Sequence, residues 1–190
     1  MNNLDADAIR QSLGELVSSR LAGLEAFPEI GSTNSYLMQQ AAPAPGQVHV
    51  VVTDNQTQGR GRHGRTWQSP PGSGLCLSLA YTFERQPASL SALTLALGLG
   101  VIDALESLGV SGVQLKWPND LVAADGKLGG ILTETQARRS GEISVVTGVG
   151  LNVDLGGDLD VGGESDWARR VIELAGFAGE LTRRDELAVR

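Results

Sequence analysis

The chain has 190 residues, 41% of them hydrophobic and 19% charged, which is the size and composition of one folded domain and not of a disordered chain. Its formal charge of −7 disfavours general nucleic-acid binding, and a single cysteine, Cys76, excludes an intrachain disulfide framework and a cysteine metal cage. No apolar stretch approaches the ~20 residues of a membrane span, and the N-terminus lacks the basic and apolar segments of a signal peptide. We therefore expect a cytoplasmic protein that does not enter membranes.

Apolar spacing and turn residues predict alternating helices and strands in the first half of the chain. In chain order they are a helix over residues 4–24, the start of a sheet over 25–30, a helix from Ser32 to about Ala42, and strands over 47–53 and 74–83. Between these two strands, residues 54–72 show no periodicity. A loop of that length inside a compact domain is typical of a functional segment.

The second half begins with a nearly all-apolar segment, residues 87–108, which predicts a buried helix. Strands are predicted over 113–117, 126–135 and 143–153, turns at 118–120 and 139–141, a loop over 155–163, a helix over 166–175 and a new helix capped by Thr182. Strands on both sides of one long helix predict an α+β domain with a mixed, mostly antiparallel sheet. The last helix is cut short at Arg190, so we expect the natural polypeptide to continue.

The loop contains Gly59-Arg60-Gly61-Arg62-His63-Gly64-Arg65 in an otherwise acidic chain. Glycines let backbone approach a ligand closely, and arginines supply forked donors that match phosphate or carboxylate, so the segment is suited to clamp an anion. It matches neither the P-loop nor the dinucleotide-binding fingerprint. A solvated basic loop is the alternative interpretation. An arginine–glycine tail for nucleic acids is disfavoured because strands flank the segment and Trp67, not further repeats, follows it.

Two other patterns point to the same chemistry. Lys116-Trp117-Pro118-Asn119-Asp120 ends a predicted strand, where a lysine on a rigid element can hold a carboxylate and a phosphate together, although taken alone the segment is typical of a surface turn. Glycines interrupt the next two predicted strands at 129–130 and at 148 and 150. Side by side, such strands would form a groove of bare backbone able to admit a flat, uncharged ring system.

These motifs together resemble the biotin–protein ligase family, whose members attach biotin to biotin carboxyl carrier protein. The resemblance runs from about Phe27 to Asp154 through five ordered blocks. They are STN at 32–34, DxQxxGRGRxGRxWxSP at 54–70, KWPNDL at 116–121, KLxGIL at 127–132 and GxGxN at 148–152. The arginine–glycine block followed by the lysine–tryptophan block is highly specific for the family.

The resemblance implies a role for each matching position. For biotin it implies Ser32, Thr33, Asn34, Gln56, Gly59, Arg60, Arg62, Lys116 and Gly130. For the nucleotide it implies Arg62, Arg65, Trp67, Asn119, Lys127 and Asn152, with Trp67 packing on adenine. Lys116 matches the family's catalytic lysine, and Arg62 and Arg65 would meet the carboxylate and the phosphate as further catalytic groups. No side chain is assigned to a metal.

The activity that the resemblance implies has two steps. Biotin and Mg-ATP, with Mg²⁺ as the required cation, give biotinyl-5′-AMP and pyrophosphate, and a lysine of the carrier protein of acetyl-CoA carboxylase then takes the biotin. The cationic residues of the motifs suit this reaction, since only cations relieve the repulsion between a carboxylate and the phosphate that it attacks. Two alternatives stay open: a lipoate–protein ligase of the same superfamily, and a domain that binds biotin or its adenylate but transfers nothing.

The chain departs from the family at both ends. Only about thirty residues precede the first block, whereas many members carry an N-terminal winged helix-turn-helix and repress biotin genes. The small C-terminal SH3-like barrel of the family is also missing. We therefore expect residues 1–190 to form the catalytic domain of a monofunctional ligase without specific DNA binding, and a homodimer is compatible with the sequence.

Overall fold

The computed structural model describes residues 4–87, 89–124, 126–137, 141–155, 171–174 and 188. The helices in these ranges are α1 (Ala6–Ser12), α2 (Glu15–Arg20), α3 (Thr33–Gln39) and α4 (Leu90–Ser107). The strands are β1 (Leu21–Phe27), β2 (Val48–Thr53), β3 (Gly74–Phe83), β4 (Gln114–Lys116), β5 (Asp120–Ala123), β6 (Gly126–Ala137) and β7 (Ile143–Asn152). They form one seven-stranded sheet in the order β1-β2-β3-β7-β6-β5-β4.

The sheet is mixed because its first two strands run in the same direction. β1 pairs with β2 in parallel, and every other neighbouring pair is antiparallel. The central ladder joins β3, β7 and β6, the longest strands of the sheet. This arrangement confirms the α+β fold with a mixed, mostly antiparallel sheet that the sequence predicts.

Helices pack on both faces of the sheet, and strand alternation decides which side chain meets which helix. On β2, Val51 packs with Leu37 of α3, whereas the next residue, Val52, packs on the opposite face with Ile9 of α1. The largest buried cluster lies on the α1 side, where α4 packs against β4 and β6. The opposite face, next to α3, is therefore left to the small and polar side chains of β3, β6 and β7.

The N-terminal prediction of one helix over residues 4–24 is wrong. α1 ends at Ser12, Gly14 caps the start of α2, and the chain then extends into β1 from Leu21. A helix interior disfavours glycine, and parallel pairing with β2 takes residues 21–27 into the sheet. The strand expected over 25–30 is thus β1, which begins four residues earlier and ends at Phe27.

The prediction that residues 87–108 form a buried helix is only partly right. The Ser89 side chain caps α4, which ends before Gly109, a residue with φ of +83°. Only Gly98 and Leu105 of α4 are buried, and Leu99 is 57% exposed, because one row of the helix faces β4 and β6. Among the described residues α4 alone is long and apolar enough to cross a membrane, by length and composition, and its packing on the sheet fits a helix of a soluble domain.

The remaining boundaries agree within one to three residues, with one omission and one error. The error is the helix predicted over 166–175, because residues 171–173 are not helical and Val171 forms a parallel bridge with Lys127. β3 is confirmed at both ends, β2, β6 and β7 differ from prediction by one or two residues, and α3 ends at Gln39 instead of about Ala42. β5 was missed, because only the four residues 120–123 follow the turn at Pro118 and pair with β4 and β6. The predictions on residues 156–163, 166–170, 175, 182 and the turn at 139–140 lie outside the described residues.

Two leucines test the packing of the α4 side. Leu128 on β6 is 0% exposed, so Leu128→Ala is expected to lower the free energy of unfolding by about 2–5 kcal/mol, the usual cost of a cavity in a core. Leu99→Ala, the matched change on the exposed row of α4, is expected to stay within about 0.5 kcal/mol of the unchanged protein. Urea denaturation measures both, and equal losses would contradict the described packing.

Candidate active site

A cleft of about 1140 Å³ opens on the α3 face of the sheet. Its walls come from the start of α3, from the strands β3, β6 and β7, from the loop before β3 and from the turn between β4 and β5. Of the residues assigned to a site from the sequence, every one except Gly59 lines this cleft. The structure therefore brings together five sequence blocks that are spread over residues 32–152.

Glycines of neighbouring strands meet at the floor of the cleft. Gly130 of β6 pairs directly with Gly150 of β7, and Gly148 pairs with Ser78 of β3. A Cβ on Gly150 would come within 2.6 Å of the Trp67 indole, so the tryptophan packs against backbone that only glycine leaves open. The groove of bare backbone predicted from the sequence is therefore open only at Gly130, because the side chains of Trp67 and Asn34 cover Gly150 and Gly148.

The inner end of the cleft is a network of neutral polar side chains. Thr33 donates two hydrogen bonds to Oε1 of Gln56, one from its backbone N (2.9 Å) and one from Oγ1 (3.1 Å). The Ser78 hydroxyl lies 2.7 Å from both Thr33 Oγ1 and Asn34 Oδ1. Thr33, Asn34 and Ser78 are buried, and such groups are costly to bury unless they are paired. Their positions are therefore set before any ligand arrives.

The single cysteine belongs to this network. The Gln56 amide donates to the Cys76 sulfur at 3.2 Å, and the Ser69 hydroxyl lies 3.3 Å from the same atom. Burial raises the pKa of the Cys76 thiol, which more than offsets the opposing effect of these hydrogen bonds. The thiol stays protonated at neutral pH, so it orients Gln56 and is not an activated nucleophile.

The segment predicted as a structureless loop contains a small hairpin, residues 59–67, which we call the arginine hairpin. Backbone hydrogen bonds join Trp67 N to Gly59 O (3.0 Å) and Gly61 N to Arg65 O (2.8 Å). The tip turns through His63 and Gly64, which have φ of 57° and 75°. Gly59 is not among the residues that line the cleft; it is buried, and a side chain there would overlap the carbonyl oxygen of Trp67. Its place is at the closure of the hairpin.

The three arginines of the hairpin have different surroundings. Arg60 donates to Oε2 of Glu134 at 2.6 Å, and Arg62 donates to Oδ1 of Asn119 at 3.1 Å. Arg65 is exposed, and its guanidinium makes no side-chain hydrogen bond or ion pair with the residues that the structure describes. An incoming anion thus meets one arginine bound to a carboxylate, one bound to a neutral amide and one in solvent.

The strand β4 and its turn bring a lysine to the opposite wall. Lys116 is the last residue of β4, pairs with Asp120 in the ladder and is half-buried at the cleft. Asn119 in the turn is held by two hydrogen bonds with Ile131, one from its side-chain amide to O (3.0 Å) and one from Ile131 N to its own carbonyl (2.9 Å). Lys116 therefore sits on a fixed element facing a hairpin that carries arginines.

The outer end of the cleft holds the remaining assigned residues. Lys127 forms an ion pair with Asp120 (2.7 Å) and lies 5.9 Å from the centroid of the Trp67 ring. The Asn152 amide donates to the backbone oxygens of Lys127 (3.3 Å) and Ile172 (3.2 Å), so it fixes the backbone beside the cleft. Within the described part of the chain, no group of three or more His, Cys, Asp or Glu side chains is placed to hold a metal ion.

Sequence reasoning missed three side chains of the site, Cys76, Ser78 and Glu134. The alternation of β3 carries the signal for two of them, because Gly74, Cys76 and Ser78 share a face and are small. Glu134 shares a face of β6 with Gly130, since the two lie an even number of residues apart. The signal for Glu134 is therefore a charged residue on the same strand face as the glycine motif.

The comparisons with known proteins agree with this geometry. A sequence model of the biotin/lipoate A/B protein ligase family matches residues 26–153. The chain belongs to this family. It is 37% identical over 150 residues to the bifunctional ligase/repressor BirA of Salmonella typhimurium, covering 79% of this chain and 45% of that protein. It is 37% identical over 162 residues to the biotin–[acetyl-CoA-carboxylase] ligase of Mycobacterium tuberculosis, covering 78% and 59%.

The fold has a counterpart among solved structures. The biotin protein ligase from Aquifex aeolicus, solved in complex with biotin and ATP, superposes with a TM-score of 0.65 at 30% identity, over 87% of this chain and 65% of that one. The chain therefore spans about half to two thirds of the length of these relatives.

Two glycines of the floor test whether Trp67 depends on bare backbone. Gly150→Ala is expected to push the indole away and to lower the free energy of unfolding by about 1–3 kcal/mol, as overpacking does. Gly130→Ala is the control, because a Cβ there meets only the end of Lys127 (3.6 Å) and the Asn119 oxygen (3.8 Å). Its stability is expected to change by less than about 0.5 kcal/mol, and chemical denaturation that ranks the two in the reverse order would contradict the arrangement.

Proposed function

We propose that this chain activates biotin as biotinyl-5′-AMP and transfers it to a lysine of the biotin carboxyl carrier protein of acetyl-CoA carboxylase. The observation that supports this function is the polarity of the cleft. A buried, neutral hydrogen-bonding network lies at its inner end, and Lys116 and the arginine hairpin lie toward its mouth. A substrate with an uncharged polar ring and a carboxylate tail matches that order.

The inner network suits the ureido ring of biotin, which has two N–H donors and one carbonyl. Hydroxyl groups such as those of Thr33 and Ser78 can both donate and accept, and the uncovered backbone at Gly130 leaves space for a ring. The dithiolane ring of lipoate offers no comparable hydrogen bonds, so these polar groups would gain nothing from it beyond the bonds that they already make with one another. For this reason we favour biotin over lipoate.

The outer cations suit the first chemical step. A carboxylate oxygen of biotin attacks the α-phosphorus of Mg-ATP, a C–O–P bond forms, and the bond from the α-phosphorus to the bridging oxygen breaks to release pyrophosphate. Two anions must approach each other, and Lys116 with Arg62 and Arg65 would lower that electrostatic barrier without moving far. The magnesium ion arrives with the nucleotide as part of the substrate.

The second step transfers the acyl group. The ε-amine of the carrier lysine attacks the carbonyl carbon of the mixed anhydride, an amide bond forms, and AMP leaves with the electron pair of the broken C–O bond while the amine loses a proton. The carrier protein, dependence on Mg²⁺, a homodimer, a cytoplasmic location and the absence of operator binding stay predictions.

A pyrophosphate-release assay separates this proposal from its alternatives. Release with biotin but not with lipoate supports the biotin ligase, and release with lipoate alone favours the lipoate ligase. Tight binding of biotin without release would favour a domain that binds but does not transfer. Mass spectrometry of a carrier domain added to the reaction then shows whether its lysine gains biotin.

Lys116 provides the sharpest mutational test of the first step. Lys116→Ala is expected to lower the rate of pyrophosphate release by roughly 10²–10³, the usual cost of one preorganised electrostatic contact, and to leave the melting temperature unchanged. Arg85→Ala is the control, since it removes one exposed cation away from the cleft lining. An unchanged adenylation rate in Lys116→Ala would refute the role of this lysine.

A further inference from the structure

We propose that Glu134 is a positioning residue that holds the arginine hairpin over the cleft through its ion pair with Arg60. The proposal deepens the ligase function given above and rests on it for its catalytic consequence. Its structural half, the fastening of the hairpin, stands on contacts that do not depend on any substrate.

The fastening is one short, charge-assisted contact. Arg60 Nη2 lies 2.6 Å from Glu134 Oε2, and the two side chains are 44% and 24% exposed. Charge-assisted hydrogen bonds are shorter and stronger than neutral ones, and partial burial of the carboxylate reduces solvent screening. Residues 74 positions apart in sequence are thereby joined across the mouth of the cleft.

Glu134 is itself fixed, as an anchor has to be. It lies on β6, where its backbone pairs with Val146 of β7. The Asn34 amide donates to the same Oε2 at 2.9 Å and to the Leu132 oxygen at 3.1 Å. Asn34 in turn belongs to the neutral network that lines the inner end of the cleft. The carboxylate therefore connects the hairpin to the residues that would receive the biotin ring.

The hairpin has a second fastening with different chemistry. Arg62 donates to the neutral amide oxygen of Asn119 at 3.1 Å, and Asn119 is bound to Ile131 of β6. A phosphate or carboxylate competes easily with a neutral acceptor for a guanidinium. When a substrate anion takes Arg62, the pair between Arg60 and Glu134 remains to keep the hairpin in place. The hairpin therefore stays closed over the cleft while Arg62 changes partner. A closed hairpin would retain the reactive mixed anhydride and exclude water.

Limited digestion of the full chain without ligand tests the fastening directly. The variant Glu134→Gln keeps the shape of the side chain and removes its charge. Trypsin cleavage after Arg62 and Arg65 is expected to accelerate about threefold to fivefold, since a partly exposed ion pair is worth up to about that factor in an equilibrium. Glu84→Gln, which removes an exposed carboxylate after β3, is the matched control and should leave the cleavage rate unchanged.

A double-variant cycle tests whether Arg60 carries the effect. In an Arg60→Gln background the hairpin is already loosened, so adding Glu134→Gln should not accelerate cleavage after Arg62 and Arg65 any further. In steady-state assays with biotin, Glu134→Gln is expected to raise KM for ATP about threefold or more and to change kcat less than about twofold, because the reacting groups are intact.

Each outcome decides the question. Cleavage of Glu134→Gln at the unchanged rate, additive effects in the double variant, or equal acceleration after Arg85 and within the hairpin would overturn the proposal, the last because it indicates general loosening of the fold. A selective, non-additive acceleration supports the fastening. If the unchanged protein releases no pyrophosphate with biotin, the proposed function fails, while the digestion still decides whether Glu134 holds the hairpin.

Discussion

The close approach of Trp67 to the backbone of β7 is the contact on which the whole cleft side of this protein depends. The indole lies where a side chain on Gly150 would lie, so it can seat only because that position is glycine. Trp67 also closes the arginine hairpin by donating its backbone N–H to Gly59. The absence of a Cβ at Gly150 thus determines where the indole packs and, through Trp67, where the hairpin with its three arginines lies relative to the sheet.

The cleft separates neutral and charged groups, and the separation follows from the cost of burial. Buried polar groups are tolerated where they pair with each other, as Thr33, Asn34 and Ser78 do, whereas an unpaired buried charge would be far more costly. The cations accordingly lie where water, a carboxylate or an amide can satisfy them. This gradient favours a ligand that has a neutral end and an anionic end over one that is charged throughout.

Local patterns in the sequence predicted those elements whose burial is regular. The alternation in residues 74–83 gave β3 at both ends, because one face of that strand is buried along its length. The periodicity across Gly14 misled, because tertiary pairing of residues 21–27 with β2 outweighs a helical pattern. Apolarity alone could not show that α4 is half-exposed, since that depends on which row of the helix the sheet covers.

For the site, the motifs predicted which residues would converge but not how they would pair. The approach of Arg60 to Glu134 depends on the pairing register of β6 and on where the hairpin packs on the sheet. Neither can be read from the residues next to Arg60 or Glu134 in the sequence. The same limit applies to Gly59, because its motif suggested contact with a ligand and gave no sign that the carbonyl of Trp67 also approaches it closely. Register and close approach are properties of the folded sheet, and they decide the details that motifs leave open.

The unequal surroundings of the three arginines have an electrostatic consequence. An anion that recruits Arg60 must displace a carboxylate, whereas recruiting Arg62 displaces only a neutral amide oxygen and recruiting Arg65 displaces only water. The free-energy cost of these exchanges therefore falls from Arg60 to Arg62 to Arg65. Arg62 and Arg65 are the two that can turn to a phosphate with little loss, which matches the catalytic roles that the sequence motif assigns to them. Arg60 is paired with Glu134, and in the role proposed above this pair holds the hairpin in position.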